Sequence, residues 1–181
     1  MDNVVKVDIE IQNIVLTVTY KDTEFDLEEL AGILKGARYE PEVFPGVIYK
    51  SKTPRASFLI FASGKMNCVG AKSMKDAEKA IKELTNKLKN SGVKIKGKPK
   101  IKVRNMVASL NFHREFDVEQ IAREFPNTEY EPEVFPGLVL RLDEPKVVIL
   151  LFVSGKGVCV GAESITDIKK AAKKITKVIS K

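Results

Sequence analysis

From Val5 to Ile11 apolar residues alternate with polar ones: Val5, Val7, Ile9 and Ile11 stand against Lys6, Asp8 and Glu10. That period of two marks a half-buried strand, and the strand is expected to run on to Tyr20. Past Asn13 the large apolar residues move to even positions, Ile14, Leu16, Val18 and Tyr20. Either a bulge or a change of covering layer is therefore expected near Gln12 and Asn13. A second stretch makes the same switch, with Ile101 and Val103, then Asn105, then Met106, Leu110 and Phe112. A switch made twice is a built feature. After each long strand the pattern turns helical. Phe25-Asp26-Leu27-Glu28-Glu29-Leu30 offers a capping Asp, a Glu three residues on and a Phe–Leu staple, and Phe116-Asp117-Val118-Glu119-Gln120-Ile121 offers the same parts. These short helices are expected to end at Gly36 and at about Pro126. Three short strands follow in each case, over 46–51, 55–62 and 66–70, then over 137–142, 146–153 and 157–161. Ser73 and Ser164 open the last helices, with Asp76 and Asp167 at the third position. Their apolar stripes are Ala77, Ile81, Leu84 and Leu88, then Ile168, Ala171, Ile175 and Val178.

The order strand, helix, strands, helix occurs twice because the sequence itself is duplicated. Tyr39-Glu40-Pro41-Glu42-Val43-Phe44-Pro45-Gly46 recurs as Tyr130-Glu131-Pro132-Glu133-Val134-Phe135-Pro136-Gly137, at an offset of 91. The same offset relates Leu59-Ile60-Phe61-Ala62-Ser63-Gly64-Lys65 to Leu150-Leu151-Phe152-Val153-Ser154-Gly155-Lys156. The expected organisation is a first repeat over 1–92 and a second over 93–181. The expected fold class is α+β, with two pseudo-symmetric repeats forming one curved antiparallel sheet and the helices on one face. The prolines of each EPEVFPG block force extended or turn backbone, so each block should be an exposed loop tip carrying a Phe.

The face that the helices leave open breaks the usual rule. Phe58 and Ile60, and Val147, Ile149 and Leu151, point toward the helices, leaving Leu59 and Phe61, and Val148, Leu150 and Phe152, outside. An antiparallel sheet covered on one face normally shows polar residues on the other. Here Val15, Val69, Val107, Val158 and Val160 extend an apolar surface, and such a surface marks a binding site or a partner-covered layer. The same face would be the contact of a homodimer of the free protein.

Charge narrows the partner. Lys and Arg number 31 against 24 Asp and Glu, a net charge of +7, which favours an anionic partner, nucleic acid before an acidic membrane surface. No apolar run approaches the ~20 residues of a membrane helix, and the start, with Asp2, does not read as a signal peptide, so a soluble cytoplasmic protein is expected. Cys68 and Cys159 occupy equivalent apolar positions and read as buried free thiols rather than a disulfide. His113 is the only histidine and stands among Asn111, Arg114 and Glu115, a solvated loop residue. No metal-ligand spacing, P-loop or dinucleotide motif is present, so no cofactor and no enzyme activity are expected. The basic connection Lys94-Ile95-Lys96-Gly97-Lys98-Pro99-Lys100 serves as a solvated linker or as a phosphate contact.

The paired EPEVFPG and LIFASGK/LLFVSGK blocks, Gln-Asn-Ile-Val at 12–15 with Arg-Asn-Met-Val at 104–107, and Gly-Ala at 70–71 and 161–162 resemble the TATA-binding protein family, in its archaeal form. The resemblance covers both repeats in order. It implies a saddle whose concave sheet binds the minor groove of A·T-rich promoter DNA and bends it, a mode of which that family is itself the type example. It implies intercalating wedges at Phe44, Phe61, Phe135 and Phe152. Minor-groove contacts are expected from Asn13, Val15, Leu59, Asn67, Val69, Asn105, Val107, Leu150, Val158 and Val160. Lys50, Arg55, Lys65, Arg141, Lys146 and Lys156 lie near the sheet edges as phosphate contacts. Glu131 and Glu133 would meet transcription factor B, which with RNA polymerase completes the expected assembly. The family usually has threonine where Val69 and Val160 stand, and commonly valine at Asn67. A sheet-face binder of single-stranded RNA and a protein scaffold without nucleic acid are the competing readings.

Overall fold

In the computed structural model, which describes residues 5–181, the first repeat gives β1 (Asp8–Thr19), α1 (Leu27–Ile33), β2 (Gly46–Lys52), β3 (Arg55–Phe61), β4 (Lys65–Ala71) and α2 (Met74–Asn90). The second gives β5 (Lys100–Asn111), α3 (Val118–Glu124), β6 (Thr128–Glu129), β7 (Leu138–Asp143), β8 (Lys146–Leu151), β9 (Lys156–Ala162) and α4 (Ile165–Ile179). The reading that rested on Asp2 lies outside the described residues. The nine strands hydrogen-bond in the order β2-β3-β4-β1-β5-β9-β8-β7-β6, an α+β antiparallel arrangement of two repeats, as expected. No helix among the described residues is long and apolar enough to cross a membrane.

The chain packs as two compact units whose bounds fall inside the long strands. Asn13–Arg104 forms the first unit, and Asn105–Lys181 with residues 5–12 forms the second. In the first, Ile14, Leu16 and Val18 of β1, Phe58 and Ile60 of β3, and Met66 and Cys68 of β4 are buried with Ala77, Ala80, Ile81, Leu84 and Leu88 of α2. In the second, Met106, Ala108 and Leu110 of β5, Val147, Ile149 and Leu151 of β8 and Cys159 are buried with Ile168, Ala171, Ala172 and Ile175 of α4. Tyr20 ties β1 to α2: its hydroxyl lies 2.6 Å from Thr85 Oγ1, which itself donates to the Ile81 carbonyl, so the tyrosine is the donor.

The helix caps are those the sequence supplies. Asp26 accepts from the Glu28 and Glu29 amides, Asp117 from Gln120, Ser73 from Asp76 and Ser164 from Asp167. α1 stops at Ile33, with extended backbone at Leu34 and a turn through Gly36 at φ 82°, and α3 stops at Glu124 with its cap at Phe125, just before Pro126. The short strand β6 was not expected; it pairs with β7, whereas its counterpart in the first repeat is a lone bridge between Arg38 and Ile48.

At the switch of apolar parity the boundary between the two units falls between Gln12 and Asn13 and between Arg104 and Asn105. A bulge is present too, but the register slips further on, between Ile14 and Leu16 and between Met106 and Ala108. Across the slip β4 takes three steps, Ala71 to Cys68, where β1 takes two. The surplus residue therefore sits on the partner strand, next to Gly70 in β4 and Gly161 in β9, whose φ angles of 90° and 89° suit glycine.

Candidate nucleic-acid interface

Residues directly opposite one another in antiparallel strands share a face, so the pairing register shows which side chains line the side away from the helices. In the first unit Ile48, Leu59, Asn67 and Thr17 are successive partners, and Lys50, Ser57 and Val69 form the next rung. In the second, the rungs are Val139, Leu150, Val158 and Ser109, then Arg141, Val148 and Val160. Apart from Lys50 and Arg141, all of these are half-buried, as are Val15 and Val107. The structure thus brings the expected aliphatic residues together, in two matching strips.

Each strip ends at a pair of phenylalanines. Phe44 meets Phe61 at 5.8 Å between ring centroids with planes 62° apart, and Phe135 meets Phe152 at 5.9 Å and 68°. The EPEVFPG turns are exposed, with Val43 and Val134 the most open at 80% and 81%; Phe135 is exposed too, at 38%, while Phe44 lies back, half-buried. The turn explains this: the Glu40 carbonyl accepts from both Val43 and Phe44, and Glu131 from both Val134 and Phe135, which folds the Phe back over its own strand. The closing glycine makes room for it. A Cβ on Gly137 would come within 2.7 Å of Phe135 Cε1 and 2.9 Å of Phe152 Cε1, and one on Gly46 within 2.9 Å of Phe44 Cε1.

The bulge that displaces Gly70 and Gly161 leaves their amides without a ladder partner, and the asparagines supply one. Asn13 Oδ1 accepts from Gly70 N at 2.7 Å, and Asn105 Oδ1 from Gly161 N at 2.8 Å. Occupying the oxygen fixes the amide's sense, so both side chains keep their NH2 groups for an outside acceptor. Two neighbours that the sequence reading did not single out join them. Gln12 Nε2 donates to Ser109 Oγ at 3.0 Å, and Arg104 Nε donates to Thr17 Oγ1 at 3.0 Å. Their signal was the matching placement of Gln12 and Arg104 just before the paired asparagines.

All six basic candidates are exposed and keep the parity of this face. Lys50 pairs opposite Ser57, Lys65 opposite Thr19, Arg141 opposite Val148 and Lys156 opposite Asn111, while Arg55 and Lys146 begin β3 and β8 in step with Ser57 and Val148. Arg141 differs in being held by Glu129 at 3.0 Å. Glu131 and Glu133 are exposed on their turn. Cys68 and Cys159 are free and buried, and burial pushes both thiols up to about 11, so they are inert core groups. His113 is not merely solvated: its Nε2 lies 2.7 Å from Asp8 Oδ2, and its amide donates to Asn111 Oδ1. No group of three His, Cys, Asp or Glu side chains gathers as a metal site among the described residues.

The family model for transcription factor TFIID, or TATA-binding protein, matches residues 8–91 and 100–181. This chain belongs to the TATA-binding protein family. Among its relatives, the TATA-box-binding protein of Methanocaldococcus jannaschii is 49% identical over 168 residues, covering 93% of this chain and 91% of that one. The TATA-box-binding protein of Pyrococcus furiosus is 46% identical over 176 residues, covering 97% and 92%. The solved structure of Methanococcus jannaschii TBP superposes with a TM-score of 0.86, covering 95% of this chain and 98% of that one. Members of this family are transcription factors and not enzymes, in keeping with the lack of a catalytic motif.

Proposed function

We propose that this protein is a general transcription initiation factor of the cytoplasm and nucleoid. It binds A·T-rich promoter duplex in the minor groove through the open face of its sheet, bends the duplex, and recruits transcription factor B and RNA polymerase. The duplicated phenylalanine pairs at the ends of two aliphatic strips carry this reading. A ring inserted at a base step unstacks it at a cost of a few kcal/mol, and the bend lets more apolar and basic surface reach the DNA. In this reading the wedges are Phe44, Phe61, Phe135 and Phe152, and the fixed amides of Asn13 and Asn105 donate to A N3 and T O2. The valines at 15, 69, 107, 158 and 160 fit a groove floor without protruding groups. The six basic side chains hold phosphates, and Glu131 and Glu133, on a turn whose charge repels phosphate, face a basic surface of transcription factor B. Rings set edge to face are poorly placed as a flat stacking platform, which disfavours a single-strand binder.

The test is Phe152→Ala on a duplex labelled with a dye at each end. Energy transfer should report a smaller bend and titration a weaker complex, while single strands of the same sequence compete poorly. An unchanged bend at saturating protein would overturn the wedge assignment.

A further inference from the structure

The two long strands are equivalent in every respect above except charge. Asn13 matches Asn105 and Gln12 matches Arg104, so the residues two and four places earlier match as well: Glu10 with Lys102, and Asp8 with Lys100. In the second unit the bonds Gln12–Ser109 and Asp8–His113 set one antiparallel register, which places Glu10 opposite Asn111. The Ser109 hydroxyl donating to the Glu10 carbonyl, at 3.5 Å, fits it. Asn111 in turn pairs with Lys156, giving the rung Glu10–Asn111–Lys156. In the first unit the Arg104–Thr17 bond gives the matching register, and Thr19 pairs with Lys65, so the equivalent rung reads Lys102–Thr19–Lys65. One rung carries opposite charges and the other two cations. Glu10 faces the open side: with Asp8 it walls a cavity of about 930 Å³ that Ser109, Phe152, Lys156 and Val158 also line. No cation lies within ion-pair distance of Glu10 among the described residues, whereas Asp8 is bound to His113.

We propose that Glu10 and Lys102 make the two halves of the interface hold phosphate unequally, the first unit firmly and the second weakly. This rests on the reading of the open face as the DNA site. Strands lie about 4.8 Å apart, so Glu10 sits two strands, roughly 10 Å, from Lys156. That is about one Debye length at 0.1 M salt, close enough to offset part of its attraction for phosphate. Lys102 adds a cation where Glu10 subtracts one. A half-site that is costly to deform is accordingly better held under the first unit.

The experiment measures binding of a dye-labelled A·T-rich duplex across potassium chloride concentrations, for the full chain and for Glu10→Lys and Lys102→Glu. Each phosphate contact contributes about 0.9 to the slope of log K against log salt. Glu10→Lys should steepen the slope by about that amount and tighten binding roughly fivefold at low salt; Lys102→Glu should do the reverse. The neutral variants Glu10→Gln and Lys102→Gln should shift binding in the same directions by smaller amounts, which guards against a variant that misfolds. Normal wild-type binding with neither slope moving, or with both moving the same way, overturns the inequality. Failure of the wild-type chain to bind the duplex in a salt-dependent way instead overturns the DNA-site reading, and the inference with it.

Discussion

Asn105→Asp separates recognition from folding, because only one atom of the side chain has a structural task. Oδ1 accepts from Gly161 N at 2.8 Å, and a carboxylate oxygen of the same size keeps that bond. The altered atom is the outward nitrogen, which turns from a donor of two protons into an anionic acceptor. Against the A·T minor groove, where N3 and O2 are themselves acceptors, the variant leaves two acceptors unpaired and faces them with a charge. Each unpaired buried acceptor costs about 1–3 kcal/mol, so for the two a loss of roughly 2–6 kcal/mol, or about 30- to 20,000-fold in affinity, is expected. Thermal unfolding of the free protein should move little. Affinity is read by fluorescence anisotropy of an A·T-rich duplex. Lowering the pH toward the ordinary Asp range of ~3.9 restores a proton to the side chain, so the penalty should shrink there. A variant that binds as the parent does would show that the amide does not face the bases.

Replacing central A·T pairs by inosine·cytosine should be tolerated, whereas G·C at the same steps should cost on the order of 1–3 kcal/mol, because the valine strip has no acceptor for the guanine amino group. Equal damage from both, in the same titration, would exclude minor-groove readout. Reversing Glu131 and Glu133 to Lys should abolish a ternary complex with transcription factor B in a gel-shift assay and leave binding to DNA alone intact; a normal ternary complex would remove these residues from the partner contact.

Much of the fold was legible because duplication supplies an internal control. A parity switch, a capping Asp or a proline-flanked Phe seen once is ambiguous, and seen twice at offsets of 92, 91 and 91 it is structure. What stayed hidden depended on pairing between distant strands. That Gly70 and Gly161 carry the bulge, and that Asn13 and Asn105 are turned by it, follows from a register slip that no single strand displays. Gln12 and Arg104 were given no contact of their own because different side chains perform the matching linkages, Gln12 to Ser109 and Arg104 to Thr17. The EPEVFPG turns are exposed as the prolines imply, but that rule does not say which residue the turn exposes most, and Phe44 is less open than Phe135. The missing Cβ of Gly46 and of Gly137 leaves room for Phe44 and Phe135 beside the strand.

The division of the long strands between units has a consequence in time. Residues 5–12 complete a unit whose remaining part begins at Asn105, so on the ribosome Gln12 emerges 93 residues before Asn105. At about 5–20 residues per second that is a wait of roughly 5–20 s, during which Ile9 and Ile11 have no strand to pair with. The first unit, bounded by Asn13 and Arg104, can close as soon as its own last strand appears. Synthesis therefore makes every part of the middle unit available before the stretch ahead of it meets its partners.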